Sequence, residues 1–351
     1  MSSSHRRSES RTWASVLAPL VAGRDQSRDA TAWAMERLLS GEATPAQQAA
    51  FVIALRCKGE TVSELAGLSD TMLDFATPIE VPGPAVDVVG SGGDRANTVN
   101  ISTMAALVAA AAGVRVVKHG NRAASSACGA ADVLEELGVI LDLAPERQQE
   151  VVAEVGIGFL FAPLYHPALR HAVWRRELGI PTTFNFLGPL ANPAQPVAQA
   201  VGVADARMAE LMAGVFADRG NRGMVVHGGD GLDELTTTTT STVWVYADGV
   251  VRQRELDPAV LGIPRSEIAD LVGGDASTNA GVVRDLVDGR EGSVRDVVVL
   301  NAAAALVAHD GPVADHLEDQ LASGLDRVRT AIDSGAAKQK LATWVEMTRR
   351  G

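Results

Sequence analysis

Ala85-Val-Asp-Val-Val89 runs straight into Gly90-Ser-Gly-Gly-Asp94. An Ala-rich stretch from about Ser102 to Ala112 follows, closed by Gly113, and then Arg115-Val-Val117. A short β-branched run, a glycine loop, a long helical segment ending on glycine and a second β-branched run spell strand, loop, helix, strand. That is the βαβ unit of a parallel sheet. Glycines directly after a strand let backbone N–H groups turn toward one point and admit a bulky anion. The helix begins at Asn100–Ser102, and its free N–H groups and dipole add to that attraction. Thr98, Ser102 and Thr103 supply hydroxyl donors. Two other glycine signatures are absent: no Gly-Lys-Ser/Thr follows as in a P-loop, and the spacing is not Gly-x-Gly-x-x-Gly.

The alternation continues toward the C-terminus. Ala131–Leu137 and Pro145–Val155 read as helices, Ile157–Phe161 as a strand, and His166–Leu178 as a helix. Val197–Val203 is strand-like, Asp205–Arg219 helical, and Gly223–Val226 again a strand. Thr242–Tyr246 alternates in the manner of an antiparallel strand. Ala280–Val287 and Leu317–Ile332 lie in a mostly helical C-terminal part. Toward the N-terminus the texture changes at Pro82–Pro84. From Trp13 to about Thr77 the spacing is helical, with Ala30–Leu39, Gln47–Leu55 and Ser63–Phe75 as the segments, and Thr44-Pro45 is a helix start. The sequence thus predicts an α/β fold with a mainly parallel central sheet, joined to a small all-helical domain. The expected division is a disordered tail over 1–11, a helical domain over 12–80 to which 164–192 returns, and an α/β domain over 81–163 and 193–351. No internal repeat is present, and the threonine run Thr236–Thr240 is too short and too β-branched for a linker.

Composition narrows the function. The chain has 351 residues, 46% of them hydrophobic but only 4% aromatic, so its core is built from Ala, Val, Leu and Ile. A net charge of -12 argues against nucleic acid as the partner. It does not exclude an anionic substrate, because a site can be locally positive. Cys57 and Cys128 stand far apart in no metal-ligand spacing, which suits a reducing compartment, and a cytoplasmic location is expected. No apolar run approaches the ~18 residues of a membrane span. The apolar stretch Trp13–Ala22 lacks a small-residue cleavage site and is taken as the first helix rather than a signal segment.

Two further constellations carry chemistry. Lys118-His-Gly-Asn-Arg-Ala-Ala-Ser-Ser126 directly follows the second strand. Loops at the carboxyl ends of neighbouring parallel strands face one crevice, so it should meet the glycine loop. Its two cations, amide and hydroxyls suit a phosphorylated sugar. Asp233-Glu234 sits on a loop after the strand ending at Val226. On extended chain the two carboxylates point to opposite sides, as would serve two metal positions.

In this order the motifs closely resemble the anthranilate phosphoribosyltransferase family, and the actinobacterial members in particular. Arg56-Cys-Lys-Gly-Glu60, His166-Pro167, Phe184-Asn185, Leu187-Gly-Pro-Leu-Ala-Asn-Pro193 and Gly273-Gly-Asp-Ala276 extend the likeness over nearly the whole chain after Thr12. The resemblance implies a fold of the nucleoside phosphorylase/phosphoribosyltransferase type, a homodimer formed through the helical domain, and a reaction of tryptophan biosynthesis. In that reaction the anthranilate amine attacks C1 of phosphoribosyl pyrophosphate, and N-(5-phosphoribosyl)anthranilate and pyrophosphate result. It implies contacts to phosphoribosyl pyrophosphate from Gly90, Gly93, Asp94, Thr98, Asn100, Ile101, Ser102, Thr103, Lys118, His119, Gly120, Asn121, Arg122, Ala123, Ala124, Ser125, Ser126 and Ala130. Ser102, Asp233 and Glu234 would bind Mg²⁺, as two ions. Gly90, Asn121 and an arginine on the His166–Leu178 segment would meet anthranilate. Lys118, Asn121 and His119 are the catalytic candidates, with His119 expected to shape the loop or touch anthranilate rather than act as a strong base.

The pattern is broken in four places. Ser91 replaces a threonine, Cys128 a serine, and Ala130 a serine or glycine. Between His171 and Trp174 the chain is one residue short, so the anthranilate arginine is Arg175 counted back from Phe184 and Arg176 counted forward from His166. Arg175 is preferred because the segment after it matches without a gap. The rival readings are a pyrimidine nucleoside phosphorylase and a non-catalytic nucleic-acid-binding relative. Asn121 and Asp233-Glu234 speak against the first, and the net charge and metal pair against the second.

Overall fold

The computed structural model describes residues 11–123, 127–171 and 177–350. The tail over 1–10, Ala124, Ser125, Ser126, Arg175 and Arg176 lie outside the described residues.

Four helices open the chain: α1 (Trp13–Val21), α2 (Arg28–Leu39), α3 (Pro45–Lys58) and α4 (Val62–Asp74). Each starts where the sequence offers a hydroxyl cap. Thr44 accepts from the Gln47 N–H and Gln47 Oε1 accepts from the Thr44 N–H, a reciprocal box with Pro45 in the first turn. Helix α3 runs through Lys58 to Gly59, one turn past the expected end, and Gly59 stops it with φ of 88°.

A seven-stranded sheet follows, made of β1 (Val86–Gly90), β2 (Val116–Gly120), β3 (Ile157–Phe161), β4 (Ala198–Gly202), β5 (Arg222–Gly228), β6 (Ser241–Ala247) and β7 (Val250–Leu256). The order is β3-β2-β1-β4-β5-β6-β7. The first five strands are parallel, and β6 and β7 are antiparallel additions. The chain builds outward from β1 to β3, then returns to lay β4 on the other flank of β1. That reversal puts a crevice at the carboxyl ends of β1 and β4, the usual position of a ligand in an open α/β sheet. Gly90 and Gly202 are register partners at its floor.

Strand alternation divides the sheet into two faces. Val86, Val88, Met224, Val226, Val243 and Val245 face a core shared with α5 (Ile101–Ala111), α10 (Ser293–Asp310), α11 (Leu317–Asp333) and α12 (Ala336–Arg349). Val89, Val201, Val225, Trp244 and Tyr246 face α8 (Ala206–Asp218), the helical bundle and Phe184–Ala191. Helices α6 (Ala130–Leu137), α7 (Pro145–Val155) and α9 (Ala276–Val287) complete the layers. Polar links join the bundle to this second face. Arg56 Nη2 donates to Asp205 Oδ2 at 2.9 Å, the buried Glu60 carboxylate receives Thr183 and Arg207, and Arg219 holds Asp70.

The predicted helix over 166–178 is replaced in its described first part by a tight 3-10 stretch, Pro167–His171. The edge hairpin strand β7 had no counterpart in the sequence reading.

Candidate active site

The glycine loop, α5, β2 and the loop after β5 converge above the β1/β4 crevice. Ser91 N–H donates to the Gly202 carbonyl at 2.9 Å, and its hydroxyl accepts from the Ala204 N–H at 3.2 Å, so the loop leans across β4. Gly92 N–H donates to Asp233 Oδ2 at 2.6 Å. The approach is so close that a Cβ on Gly90 would lie 2.3 Å from that same oxygen, and one on Gly202 only 1.6 Å from the Asp233 carbonyl. Glycine at both strand ends is therefore a steric requirement of the carboxylate loop.

Asp233 and Glu234 are not a solvated pair on a surface loop. Asp233 is buried and Glu234 is largely enclosed beside it. Burial first, then neighbouring carboxylates, pushes both well above the usual carboxylate range; Asp94 is the main neighbour for Asp233, and Asp233 for Glu234. Partial compensation comes from the Gly92 N–H, the Ser102 N–H toward Glu234, and the Lys118 ammonium. Lys118 is itself only 2% exposed, and burial lowers its affinity for the proton against the pull of Asp87, Glu234 and Asp233. Its Nζ donates to the Val88 carbonyl at 2.6 Å and to Ser102 Oγ at 3.1 Å.

This set fits a hard divalent cation. The donors are carboxylate and hydroxyl oxygens, and the enclosed negative charge exceeds the positive charge beside it. Among the described residues, no three His, Cys, Asp or Glu side chains close into a ready-made cage. Mg²⁺ characteristically takes one or two carboxylates and completes its shell with phosphate oxygens and water.

Lys118 and His119 were expected together in a loop. They are instead the third and fourth residues of β2, so their side chains leave on opposite faces. Lys118 turns toward α5, and His119 toward Gly188 and His166. His119 Nδ1 lies 3.1 Å from the Gly188 carbonyl, its ring centroid is 5.1 Å from that of His166, and its Nε2 is buried without a hydrogen-bond partner. Burial, then His166, drives its pKa down to about 3, so the ring is a neutral Nδ1–H tautomer and a feeble base.

The remaining candidates fall into two groups. Asn100 is tied down: its Nδ2 donates to the Cys128 carbonyl at 3.1 Å, and its Oδ1 accepts from Asn279 at 2.8 Å. Ile101 is core, and Thr103 Oγ1 is buried without a partner. Thr98 pairs with Val272 in an isolated bridge, which brings the Gly273-Gly274 turn beside the α5 N-terminus. Farther along, Gly120 packs beneath Phe159, and Asn121 Oδ1 accepts from the Arg122 N–H at 2.7 Å. Arg122 binds Asp132 and Glu135 of α6 and lies over the Phe161 ring, away from the Lys118 cluster. Ala123 N–H donates to Asp132 Oδ2 at 3.1 Å, and Ala130 opens α6.

Several supporting residues carried no assigned role in the sequence. Asp87, buried in β1 with its pKa raised by burial to about 6, accepts from the His119 N–H at 3.2 Å and from Asn192 Nδ2 at 2.8 Å. Asn279 accepts from the Gly274 N–H at 2.8 Å while holding Asn100. Asn301 bonds to both peptide groups of Leu235.

A doubly faced α/β sheet with a cation-ready carboxylate pair and a glycine anion loop at its switch point, carrying a helical bundle, defines a class of group-transfer enzyme. Residues 82–338 match the glycosyl transferase family a/b domain, and residues 14–76 the helical bundle domain of the same family. Within that class the chain belongs to the anthranilate phosphoribosyltransferase family. It is 60% identical over 337 residues to the anthranilate phosphoribosyltransferase of Thermobifida fusca, spanning 96% of this chain and 97% of that one. It is 60% identical over 340 residues to that of Nocardioides, spanning 97% and 99%. Among solved structures, anthranilate phosphoribosyltransferase from Thermus thermophilus superposes with a TM-score of 0.88 at 39% identity, covering 95% of this chain and 99% of that one. The Saccharomyces cerevisiae enzyme in complex with PRPP and Mg superposes with a TM-score of 0.86 at 25% identity, covering 96% and 97%.

Proposed function

We propose that this chain transfers the phosphoribosyl group of phosphoribosyl pyrophosphate to the amine of anthranilate, releasing pyrophosphate. One observation carries the reading: a phosphate-binding glycine loop, a buried lysine and two enclosed carboxylates meet above the β1/β4 crevice in a chain of this family.

Transition states at an anomeric carbon are oxocarbenium-like, and the departing pyrophosphate carries the developing charge. Ser102, Asp233 and Glu234 would hold Mg²⁺, as two ions, which supplies positive charge to the pyrophosphate oxygens. Lys118 and the glycine loop, which opens onto the crevice, would stabilise the same charge. Lys118 is buried and held by the Val88 carbonyl and Ser102, so it needs little reorganisation when that charge develops. The anthranilate amine is neutral and needs orientation more than activation, which agrees with the neutral state of His119. Asn121, Gly90 and Arg175 are the residues assigned to anthranilate. The helical part over 12–80 with 164–192 is the hinged partner of the remaining α/β domain, and a homodimer forms through it in the cytoplasm.

Incubation with anthranilate, phosphoribosyl pyrophosphate and Mg²⁺ tests the reading. Pyrophosphate should appear only when all three are present. Release independent of anthranilate, or none at all from folded protein, would overturn it.

A further inference from the structure

We propose that Asn301 is a positioning residue, which fixes the Asp233–Glu234 loop for the cation and, through it, for pyrophosphate. This rests on the function proposed above.

Asn301 is a buried polar side chain within an otherwise apolar segment, Val297–Ala308, of α10. Its Oδ1 accepts from the Leu235 N–H at 3.0 Å, and its Nδ2 donates to the Leu235 carbonyl at 2.9 Å and to the Val297 carbonyl at 2.9 Å. One carboxamide thus satisfies both peptide groups of the residue that directly follows Glu234, as a neighbouring strand would. Sinking an amide into a core costs free energy unless it is fully bonded, so packing alone would favour an apolar residue here.

The loop has a reason to need the clamp. Asp233 Oδ2 already accepts from the Gly92 N–H at 2.6 Å, so any shift of this backbone would carry both candidate ligands away from the glycine loop. On the near side, Asp230 Oδ1 accepts from the Leu232 N–H at 3.1 Å, and the Gly228 N–H donates to the Leu232 carbonyl at 2.9 Å. On the far side, Asn301 holds Leu235. The carboxylates are therefore suspended between two fixed peptides. Residues that orient ligating side chains typically change metal affinity by roughly 10–100-fold when removed.

The test titrates phosphoribosyl pyrophosphate into Asn301→Ala over a range of Mg²⁺ concentrations, without anthranilate so that no turnover occurs. Binding at low Mg²⁺ should weaken at least tenfold and recover as Mg²⁺ is raised, while the KM for anthranilate at saturating Mg²⁺ stays unchanged. Tyr246→Phe is the control: it removes a buried hydrogen bond to Gln199 at the opposite end of the sheet. It should lower the melting temperature without altering the Mg²⁺ dependence. Wild-type Mg²⁺ dependence in Asn301→Ala, or an equal loss in Tyr246→Phe, overturns the inference. Should Asn301→Ala fail to fold, amide exchange in the metal-free wild type decides. The Leu235 N–H must exchange as slowly as the amides of α10, and fast exchange refutes the clamp. If the wild type itself shows no Mg²⁺-dependent binding, it is the proposed function that fails.

Discussion

Lys118 and His119 are neighbours in sequence and strangers in space. One lies beside the carboxylates, and the other is sealed against Gly188 and His166. The strand period of two separates them. In the sequence the β-branched run stops at Val117, so both residues have the look of a loop although β2 continues to Gly120. Two predictions belong at this scale. Asp233→Asn with Glu234→Gln should abolish turnover at saturating Mg²⁺ while raising the melting temperature of the metal-free protein. The reason is that both carboxyls bind protons more tightly when folded than when unfolded, so their ionisation costs stability as pH climbs above the ordinary carboxylate range. Near-normal activity would remove them from the site, and a lower melting temperature would refute the charge argument. His119 has the opposite sign. Its folded pKa of about 3 lies below the unfolded value of about 6.5, so its contribution is complete above pH 6.5 and is lost as pH falls toward 3, on the order of 5 kcal/mol at full loss. His119→Gln should flatten the acid limb of a melting-temperature profile between pH 6.5 and 3, and an unchanged limb would show that the ring titrates normally.

At the scale of elements, β1, α5 and β2 were legible because three independent signals agree: a β-branched run, a glycine loop and an Ala-rich helix closed by Gly113. Strand β7 is masked in the sequence because it exposes Arg252, Gln253 and Glu255 to solvent at the sheet's edge. Charged residues suppress edge pairing there and also mask strand character. Its turn signal was present in Asp248-Gly249, both with positive φ, the pair favoured in a tight hairpin. Asn301 also left a trace, a single amide inside an apolar helix, but its partner Leu235 is 66 positions away and periodicity is blind to such pairs. The register of the segment after His166 bears on function. Counting back from Phe184 makes the anthranilate arginine Arg175 and counting forward from His166 makes it Arg176, and both lie outside the described residues. Arg175→Ala should raise the KM for anthranilate by roughly 10–100-fold, the equivalent of a charge-assisted pair of about 1.5–3 kcal/mol, with a smaller effect on phosphoribosyl pyrophosphate. If Arg176→Ala behaves this way instead, the missing residue lies on the other side of the arginine.

At the scale of the whole molecule, the two substrates should communicate. On the function proposed above, phosphoribosyl pyrophosphate with Mg²⁺ should neutralise the crowded charges around Asp233 and draw the chain that leaves β2 toward its phosphates, and Asn121, proposed to meet anthranilate, is the first residue of that chain. Anthranilate should therefore bind more tightly in the presence of a non-reactive phosphoribosyl pyrophosphate analogue, with the reciprocal effect equal in size. Calorimetric titrations giving the same anthranilate affinity with and without the analogue would show the sites to be independent.

The helical bundle has no apolar core separate from the sheet face that carries Val89, Val201, Val225, Trp244 and Tyr246. Val16, Phe51, Leu55 and Leu68 of the bundle belong to the same apolar cluster as Met212 of α8 and Trp244 and Tyr246 of β6. Melting the bundle alone would strip that face and leave the Arg56–Asp205 and Arg219–Asp70 pairs without partners. The two family segments, though distinct in sequence, should accordingly lose their structure as one thermodynamic unit. Differential scanning calorimetry is expected to show a single heat-absorption peak, and a fragment ending near Thr77 should stay unfolded on its own.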